Sequence, residues 1–435
     1  VGIKVPCALV GAQLPPLPDG KPFDIKLGKI RGVTSQGMLC SARELHIAED
    51  SDGLLELSAQ APTGTNLRDW LKLDDHLFTL KLTPNLAHCL SVYGIAREVS
   101  ALTRTPLKHP TIQPVTAQIN DVLPVTIHDH DLCGRFSGRI IKGLNPAAKT
   151  PDWMVQRLAR CGQRSISALV DISNYVMFEL GRPTHMFDLD KIDSSLHVRW
   201  ARPQETLELL NGQSVTLDEK VGVITDAKQV ESLAGIMGGA ATAVSDDTTQ
   251  VYAEAAFWWP GAIAGRSRRF NFSTDAGHRF ERGVDPQTTV EHLEYITHWV
   301  VNICGTPNTQ VGPIDDHVAQ LPPVSPVRLR AARANKVLGT KLTTTDMAEA
   351  LKALGLTLTQ TADDIVVTPP SYRFDLKIEE DLIEEVARMV GFDRLPTTPP
   401  QAPITPHLPL ETQRSMLSVK QHMVELLSLI HISEP

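Results

Sequence analysis

The sequence predicts an α+β protein of several domains, and three observations carry that reading. The chain has 435 residues, and roughly one domain per 100–200 residues gives three or four cores. Its hydrophobic periodicity changes along its length, from short apolar runs between turn residues, to alternating strand and helix patterns, to helices. Proline-bearing stretches at 106–124 and 321–326 separate those blocks. Hydrophobic residues at 42% and charged residues at 21% are ordinary for globular protein. No apolar run approaches the roughly 20 residues that cross a bilayer, so no membrane role is expected.

From Val1 to about Ala61, prolines and glycines (Pro15, Pro16, Pro18, Gly20, Gly28, Gly32, Gly37) break the apolar runs at short intervals, the punctuation of a small β-barrel. Thr65 to Thr105 is mixed, with helical spacing over Ala96 to Leu102. Between Val125 and Gly312 strands such as Arg139–Lys142 and Gly222–Thr225 alternate with helices such as Asp152–Arg160 and Thr288–Ile303, which makes an α+β domain. Beyond the second linker, Ala331–Val337, Thr345–Leu354 and Ile378–Val390 read as helices, with a strand at Ile365–Thr368. Thr345, followed by Asp346 and Glu349, reads as a helix start.

Six cysteines are scattered with no C-x-x-C pair, which fits a reducing cytoplasm. A formal net charge of −8 excludes a protein that coats nucleic acid non-specifically, so any such contact rests on local patches. Val1 is no initiator methionine, and the opening has no signal-peptide pattern. Ser428 to Pro435 reads as adaptor read-through and is set aside from the fold.

Several motifs stand in order. Lys29, Arg31-Gly32, Ser35 and Gly37 to Ser41 come first, then Thr83-Pro84-Asn85, Cys89-Leu90, Gly94 and Ala96-Arg97-Glu98. The third block carries Cys161-Gly162, Arg164-Ser165-Ile166, Asp171, Asn174 to Val176, Glu179 to Asp188, Gly235 to Gly239, Glu254 to Phe257 and Thr274 to Pro286. The fourth carries Pro369 to Asp375 and Ile378 to Arg388. Together they resemble the β subunit of bacterial phenylalanyl-tRNA synthetase, and ordered motifs are far more specific than a lone one. The resemblance divides the chain into a partial OB-fold tRNA-binding domain at 1–67, a body segment and linker at 68–125, and an editing domain at 126–312. A winged-helix-like domain at 321–398, the start of a catalytic-like core at 399–427 and a non-native tail at 428–435 complete it. Relative to the family, the start of the tRNA-binding module, most of the catalytic-like core and the anticodon-binding domain are expected to lie outside the chain.

The function this resemblance implies is hydrolytic editing of mischarged tyrosyl-tRNA(Phe), with tRNA binding in support of charging by an α subunit in an α2β2 tetramer that uses ATP and magnesium. Ester hydrolysis needs a positioned water, a group to manage its proton and donors for the developing oxyanion. The family pattern places His185 and Arg164 near the ester, and Glu254, Thr274, Ala276 and Gly238 around the side-chain pocket. Small residues at Ala276 and Gly238 leave room for a ring, and a polar Glu254 answers the phenolic hydroxyl that phenylalanine lacks. A buried polar partner of that kind discriminates by roughly 10⁴ or more. Plainer roles stay open: a loop histidine at 185, a solvent-facing Glu254 on a half-buried strand, and a glycine kept at 238 for a positive-φ turn. Arg266, Arg268 and Arg269 read either as a contact to the tRNA acceptor end or as a solvated loop.

Lys29 and Arg31, two apart, read as one strand face that tracks a tRNA backbone, or as an edge strand whose cations discourage aggregation. On a helix Asp381, Glu384 and Glu385 crowd one face. Either Arg388 relieves them as an ion pair, or, as the resemblance implies, Asp375, Asp381, Glu384 and Glu385 hold magnesium at the α-subunit contact. His128-Asp129-His130-Asp131 resembles a metal cluster, but strand alternation would part its histidines from its aspartates. Two alternatives to an editing enzyme remain: a non-catalytic nucleic-acid-binding module, or a scaffold for the α subunit.

Overall fold

The structure is a computed structural model that describes residues 2–16, 20–21, 23–47, 53–399, 402 and 414–426. The expected tail at 428–435 and much of the segment 399–427 lie outside the described residues.

The N-terminal block is β, built as paired ladders. Strand β1 (Cys7–Leu9), β2 (Gln13–Leu14), β3 (Phe23–Asp24), β4 (Gly28–Ile30), β5 (Val33–Ser35) and β6 (Gly37–Leu39) pair as β1·β6, β2·β3 and β4·β5, with no closed barrel among the described residues. Ala8, Ile25 and Cys40 form a small core beneath them. Lys29 lies in β4, but Arg31 does not continue the strand. Arg31 and Gly32 both take positive φ (49° and 85°) between the paired Ile30 and Val33, so they form the two-residue hairpin turn whose twist matches its strands. The shared cationic face is thereby corrected: one cation lies on the strand and the other on the turn.

Helix α1 (Leu67–Trp70) and α2 (Val92–Thr103) follow. Ser91 starts α2 by accepting from the Gly94 amide at 2.9 Å, which satisfies an otherwise orphaned N–H. Next come β7 (Val125–Ile127), β8 (Cys133–Leu144), α3 (Asp152–Arg160), α4 (Ala168–Leu180), β9 (Thr184–Asp188) and β10 (Leu196–Trp200). The segment His128 to Asp131 is a turn rather than strand, and its aspartates accept from the backbone N–H and the indole of Trp200. Then β11 (Thr206–Glu208), β12 (Ser214–Thr216), β13 (Gly222–Thr225), β14 (Val230–Leu233), β15 (Met237–Gly238) and β16 (Gln250–Trp258) lead to α5 (Pro260–Ile263), α6 (Asp275–Phe280), α7 (Thr289–Cys304), β17 (Gly305–Val311) and β18 (Asp315–Val318).

Two sheets organise this middle block. One runs β17-β8-β16-β9 with β18 also on β8, and the other runs β15-β14-β13-β10-β7. Residues of β16 alternate between two cores. Val251, Ala253 and Ala255 pack with Ile172 and Val176 of α4 and Ile296 and Val300 of α7. Tyr252, Ala256 and Trp258 pack toward Val223 and Leu233 of the second sheet. A strand buried on both faces has no solvent side. Glu254 therefore does not face water; it interrupts the apolar row of the inner face and is 6% exposed.

The last block holds β19 (Val327–Arg330), α8 (Ala331–Leu338), α9 (Thr344–Ala353), β20 (Thr357–Gln360), β21 (Asp364–Thr368), α10 (Glu379–Val390) and the exposed α11 (Met416–Glu425). Its sheet, in the order β19-β21-β20, shares a core with α8 to α10 that also takes in Ala101 of α2. Helix α9 is capped at Thr343, two residues before the start that Thr345 suggested. Thr343 and Asp346 form a reciprocal capping box, because only that spacing satisfies both orphan amides.

Candidate functional site

The inner face of β16 and β9 forms the floor of a small cavity. His185 on β9 stands directly across from Glu254 on β16 in antiparallel register, which sets their Cβ atoms about 5 Å apart and on the same face. The cavity has a volume of about 70 Å³, and its walls include His185, Ser232, Gly235, Gly238, Glu254, Trp258, Ala276 and Phe280. Its groups arrive from separate elements: β9 and β16 below, the hairpin of β14 and β15 at one side, and α6 above.

Local sequence explains each placement. Gly238 lies against the imidazole so closely that a Cβ there would fall 2.4 Å from the His185 Cε1 and 2.8 Å from Nε2. Its φ is not positive, so the glycine is required by this close approach and not by a turn. Thr274 caps α6 by accepting from the Gly277 amide at 2.9 Å, and its hydroxyl donates to the Ile236 carbonyl at 2.9 Å. It is absent from the cavity wall and instead fixes the helix that presents Ala276 to it. Arg182 is fully buried and donates to the Ala256 carbonyl at 2.7 Å and to the Asp285 carbonyl. It ties β16 to the segment after α6, three residues before His185.

The electrostatics of the cavity are those of a buried site without charge partners. Burial lowers the His185 imidazole to about 4 and raises the Glu254 carboxyl to about 8. Both groups are therefore neutral near pH 7, as desolvation without a compensating charge dictates. His185 Nε2 is buried with no hydrogen-bond partner in the protein, and its ring packs edge-on to Phe187 with centroids 4.3 Å apart. Buried polar groups are normally satisfied, so this cavity retains hydrogen-bonding capacity for a bound group. Neutral imidazole can accept or donate one hydrogen bond, and a protonated carboxyl can do both.

Arg164 lies elsewhere: it is exposed on the loop between α3 and α4 and forms no part of the cavity wall. Lys29 and Arg31 are also exposed.

Asp375, Asp381, Glu384 and Glu385 do not converge as one ligand set, although Asp375 and Glu385 share an arginine. Arg373 pairs with Asp375 at 2.7 Å and with Glu385 at 3.0 Å, and Arg388 pairs with Glu385 at 2.6 Å. Asp381 accepts the backbone amides of Lys377 and Ile378, while Glu384 accepts from Asn85 at 3.1 Å. Among the described residues the one group of three donors close enough to share a metal is His88, Cys89 and Glu98. There, burial that would raise Glu98 is overcome by His88 at 3.0 Å and by Arg388, which hold it at about 2. The four carboxylates thus do not fit a magnesium ion as arranged, since arginines and amides already occupy them.

Sequence reasoning missed Trp258, Phe280 and Arg182. Arg182 stood inside the Gly181 to His185 motif, and Trp258 lies four residues past Glu254 on the same strand face. Those were the available signals.

Residues 3–66 match the family model described as "Putative tRNA binding domain", residues 132–305 "B3/4 domain", and residues 327–392 "tRNA synthetase B5 domain". These modules, with a small cavity inside the second, are those of the aminoacyl-tRNA synthetase class. Proteins named phenylalanine–tRNA ligase β subunit are similar over most of it. That of Ralstonia nicotianae is 60% identical over 420 residues, 97% of this chain and 52% of the relative. That of Cupriavidus pinatubonensis is 62% identical over 406 residues, 92% of this chain and 49% of the relative. The chain is thus similar over nearly all of its length to phenylalanine–tRNA ligase β subunits, and it spans about half the length of the curated relatives it matches. A crystal structure of an N-terminal fragment of the phenylalanyl-tRNA synthetase β subunit from Pyrococcus horikoshii aligns with 14% identity and a TM-score of 0.36, over 75% of this chain and 94% of that one. At that score it carries no argument.

Proposed function

We propose that this chain hydrolyses tyrosine from mischarged tRNA(Phe), with the His185–Glu254 cavity as the site that admits the amino acid. The observation that carries the reading is the pair of neutral, cross-strand groups facing one cavity, with the His185 imidazole nitrogen unpartnered. Phenylalanine would leave polar groups of this cavity unmatched, and unmatched buried groups are how a site rejects a substrate that lacks one hydroxyl. His185, neutral at physiological pH, orients the attacking water and takes part in its proton transfer. Ala276 and Gly238 keep the wall low, and Thr274 holds α6 in place. A cavity of ~150 Å³ accepts benzene, so a cavity of about 70 Å³ widens when the ring enters.

In the same reading the N-terminal ladders form part of an OB-type tRNA-binding module, with Lys29 and Arg31 toward the phosphates, and residues 327–392 form a winged-helix-like domain. Arg164 serves the tRNA side of the site. The whole protein acts in the cytoplasm with an α subunit, as an α2β2 assembly in which α charges tRNA(Phe) with phenylalanine using ATP and magnesium. No step on this chain is routed through magnesium, because its carboxylates are paired otherwise.

The test is deacylation. The full chain should release tyrosine from tyrosyl-tRNA(Phe) faster than buffer does and leave phenylalanyl-tRNA(Phe) largely intact. His185→Ala should slow release about 100-fold, within the range typical of a positioned proton-transfer group. A folded His185→Ala protein that deacylates at the parent rate would remove this residue from the site, and a parent that never exceeds buffer would remove the hydrolytic reading.

A further inference from the structure

The cavity contains a third group whose hydrogen-bonding capacity is unused. Trp258 has no solvent exposure, and its indole Nε1–H is buried with no partner in the protein. An indole N–H only donates, and a buried donor left alone is costly enough that most find an acceptor. Trp258 shares the inner face of β16 with Glu254 and lines the same cavity. The pyrrole ring of its indole packs beside Gly235, which lines that cavity too. A Cβ on Gly235, itself a wall residue, would lie 2.8 Å from Trp258 Cδ1, and Nε1 is the next ring atom.

We propose that the Trp258 indole N–H is a specificity-determining donor to the phenolic oxygen of the mischarged tyrosine; this rests on the editing reading above. A phenol oxygen offers one O–H to donate and lone pairs to accept. Glu254 and Trp258 supply complementary partners around one cavity: a carboxyl that takes the phenolic proton into a hydrogen bond, and an indole that can only give one. A phenylalanine ring satisfies neither. Tyrosine therefore gains two hydrogen bonds that phenylalanine cannot make, where Glu254 alone would give it one. Trp258 is therefore assigned to recognition, not to the bond-breaking step.

The experiment measures binding of free L-tyrosine and L-phenylalanine to the full chain by isothermal titration, in the parent and in Trp258→Phe. Hydrolysis is assayed separately. The expected result is a parent that prefers tyrosine and a variant that binds tyrosine about tenfold more weakly with phenylalanine affinity unchanged. A merely structural tryptophan would weaken both ligands alike or neither. A folded Trp258→Phe protein that keeps the parental preference overturns the proposal while leaving the hydrolytic reading intact, and so does a parent with no preference. If Trp258→Phe fails to fold, the indole N–H resonances of ¹⁵N-labelled parent decide. One of them should move on addition of L-tyrosine but not of L-phenylalanine, and no movement among the six tryptophans overturns the assignment.

Discussion

The cavity on β16 and the carboxylate cluster around α10 both gather ionisable side chains in buried surroundings, yet they are opposites in how those side chains are used. Around α10, the Glu385 side chain is 1% exposed and pairs with Arg373 and Arg388, while Asp375 takes the rest of the Arg373 guanidinium. The charges there are paired internally, and the product is a ladder that continues through Arg388 to Glu98 and so joins α10 to α2. In the cavity, Glu254 on β16 and His185 on β9 have no charge partner, so burial alone moves both to neutrality. The presence or absence of a charge partner, more than residue type, separates the structural joint from the candidate site.

The largest expected effect breaks the joint. Arg373→Met leaves Glu385 with Arg388 alone and removes the arginine that Asp375 pairs with, and removing one partner of a buried pair costs about 3–5 kcal/mol. Thermal unfolding of the last block should fall accordingly, and an unchanged midpoint would mean that Arg373 contributes no net pairing. Next comes the cavity wall. Gly238→Val places branched carbon where even one Cβ meets the imidazole, so deacylation should drop at least about 100-fold while overpacking costs about 1–3 kcal/mol of stability. A folded valine variant with parental rate would show that the imidazole can leave that position without consequence.

Glu254→Gln sharpens the comparison through pH. With its folded-state value near 8, against an ordinary 4.5, Glu254 stays protonated in the folded chain where the unfolded chain has already lost the proton. Its contribution to stability is complete below pH ~4.5, falls as pH rises, and is lost through pH 8. His185 works in the other direction: its lowered value of about 4 means stability is lost as pH falls from ~6.5 toward 4. Tyrosine binding by the parent should therefore weaken above pH 8 as Glu254 ionises. Glutamine mimics the neutral acid, so the variant should keep binding there. An alkaline limb that persists in Glu254→Gln would assign the titration to another group.

What the sequence made legible follows from where the physics is local. Helix α3 and strand β13 were readable to the residue because periodicity and flanking turns lie within a few positions. The start of α9 was misplaced by two residues because Thr343 and Thr345 both offer capping oxygens, and only the reciprocal bond to Asp346 decides between them. The plainer reading of Glu254, a solvent-facing group on a half-buried strand, fails for a non-local reason: what makes β16 a two-sided core strand is α4 and α7 on one face and the second sheet on the other. The arginine–carboxylate ladder was invisible because Arg373, Glu385 and Glu98 meet only after folding. Motif order brought His185, Glu254, Gly238 and Ala276 to attention together, but neither their unpaired state nor Trp258 beside them can be seen without coordinates.

The smallest effect is expected from the second arginine of the comparison. Arg164 shares a residue type with Arg373 and almost nothing else: it is exposed, outside the cavity wall and away from the carboxylate ladder. An exposed cation on a loop acts on a polyanion through ion release, not through a positioned bond. Arg164→Ala should leave thermal stability and the single-turnover rate at saturating tRNA unchanged, raise the KM for tyrosyl-tRNA(Phe) a few-fold, and lower the slope of log KM against log salt by about 1. His185→Ala, in contrast, should lower the single-turnover rate and leave the salt slope alone. If Arg164→Ala instead reduces the saturated rate about 100-fold with an unchanged salt slope, the guanidinium reaches the ester in the bound state, and the loop between α3 and α4 closes over the cavity during the reaction.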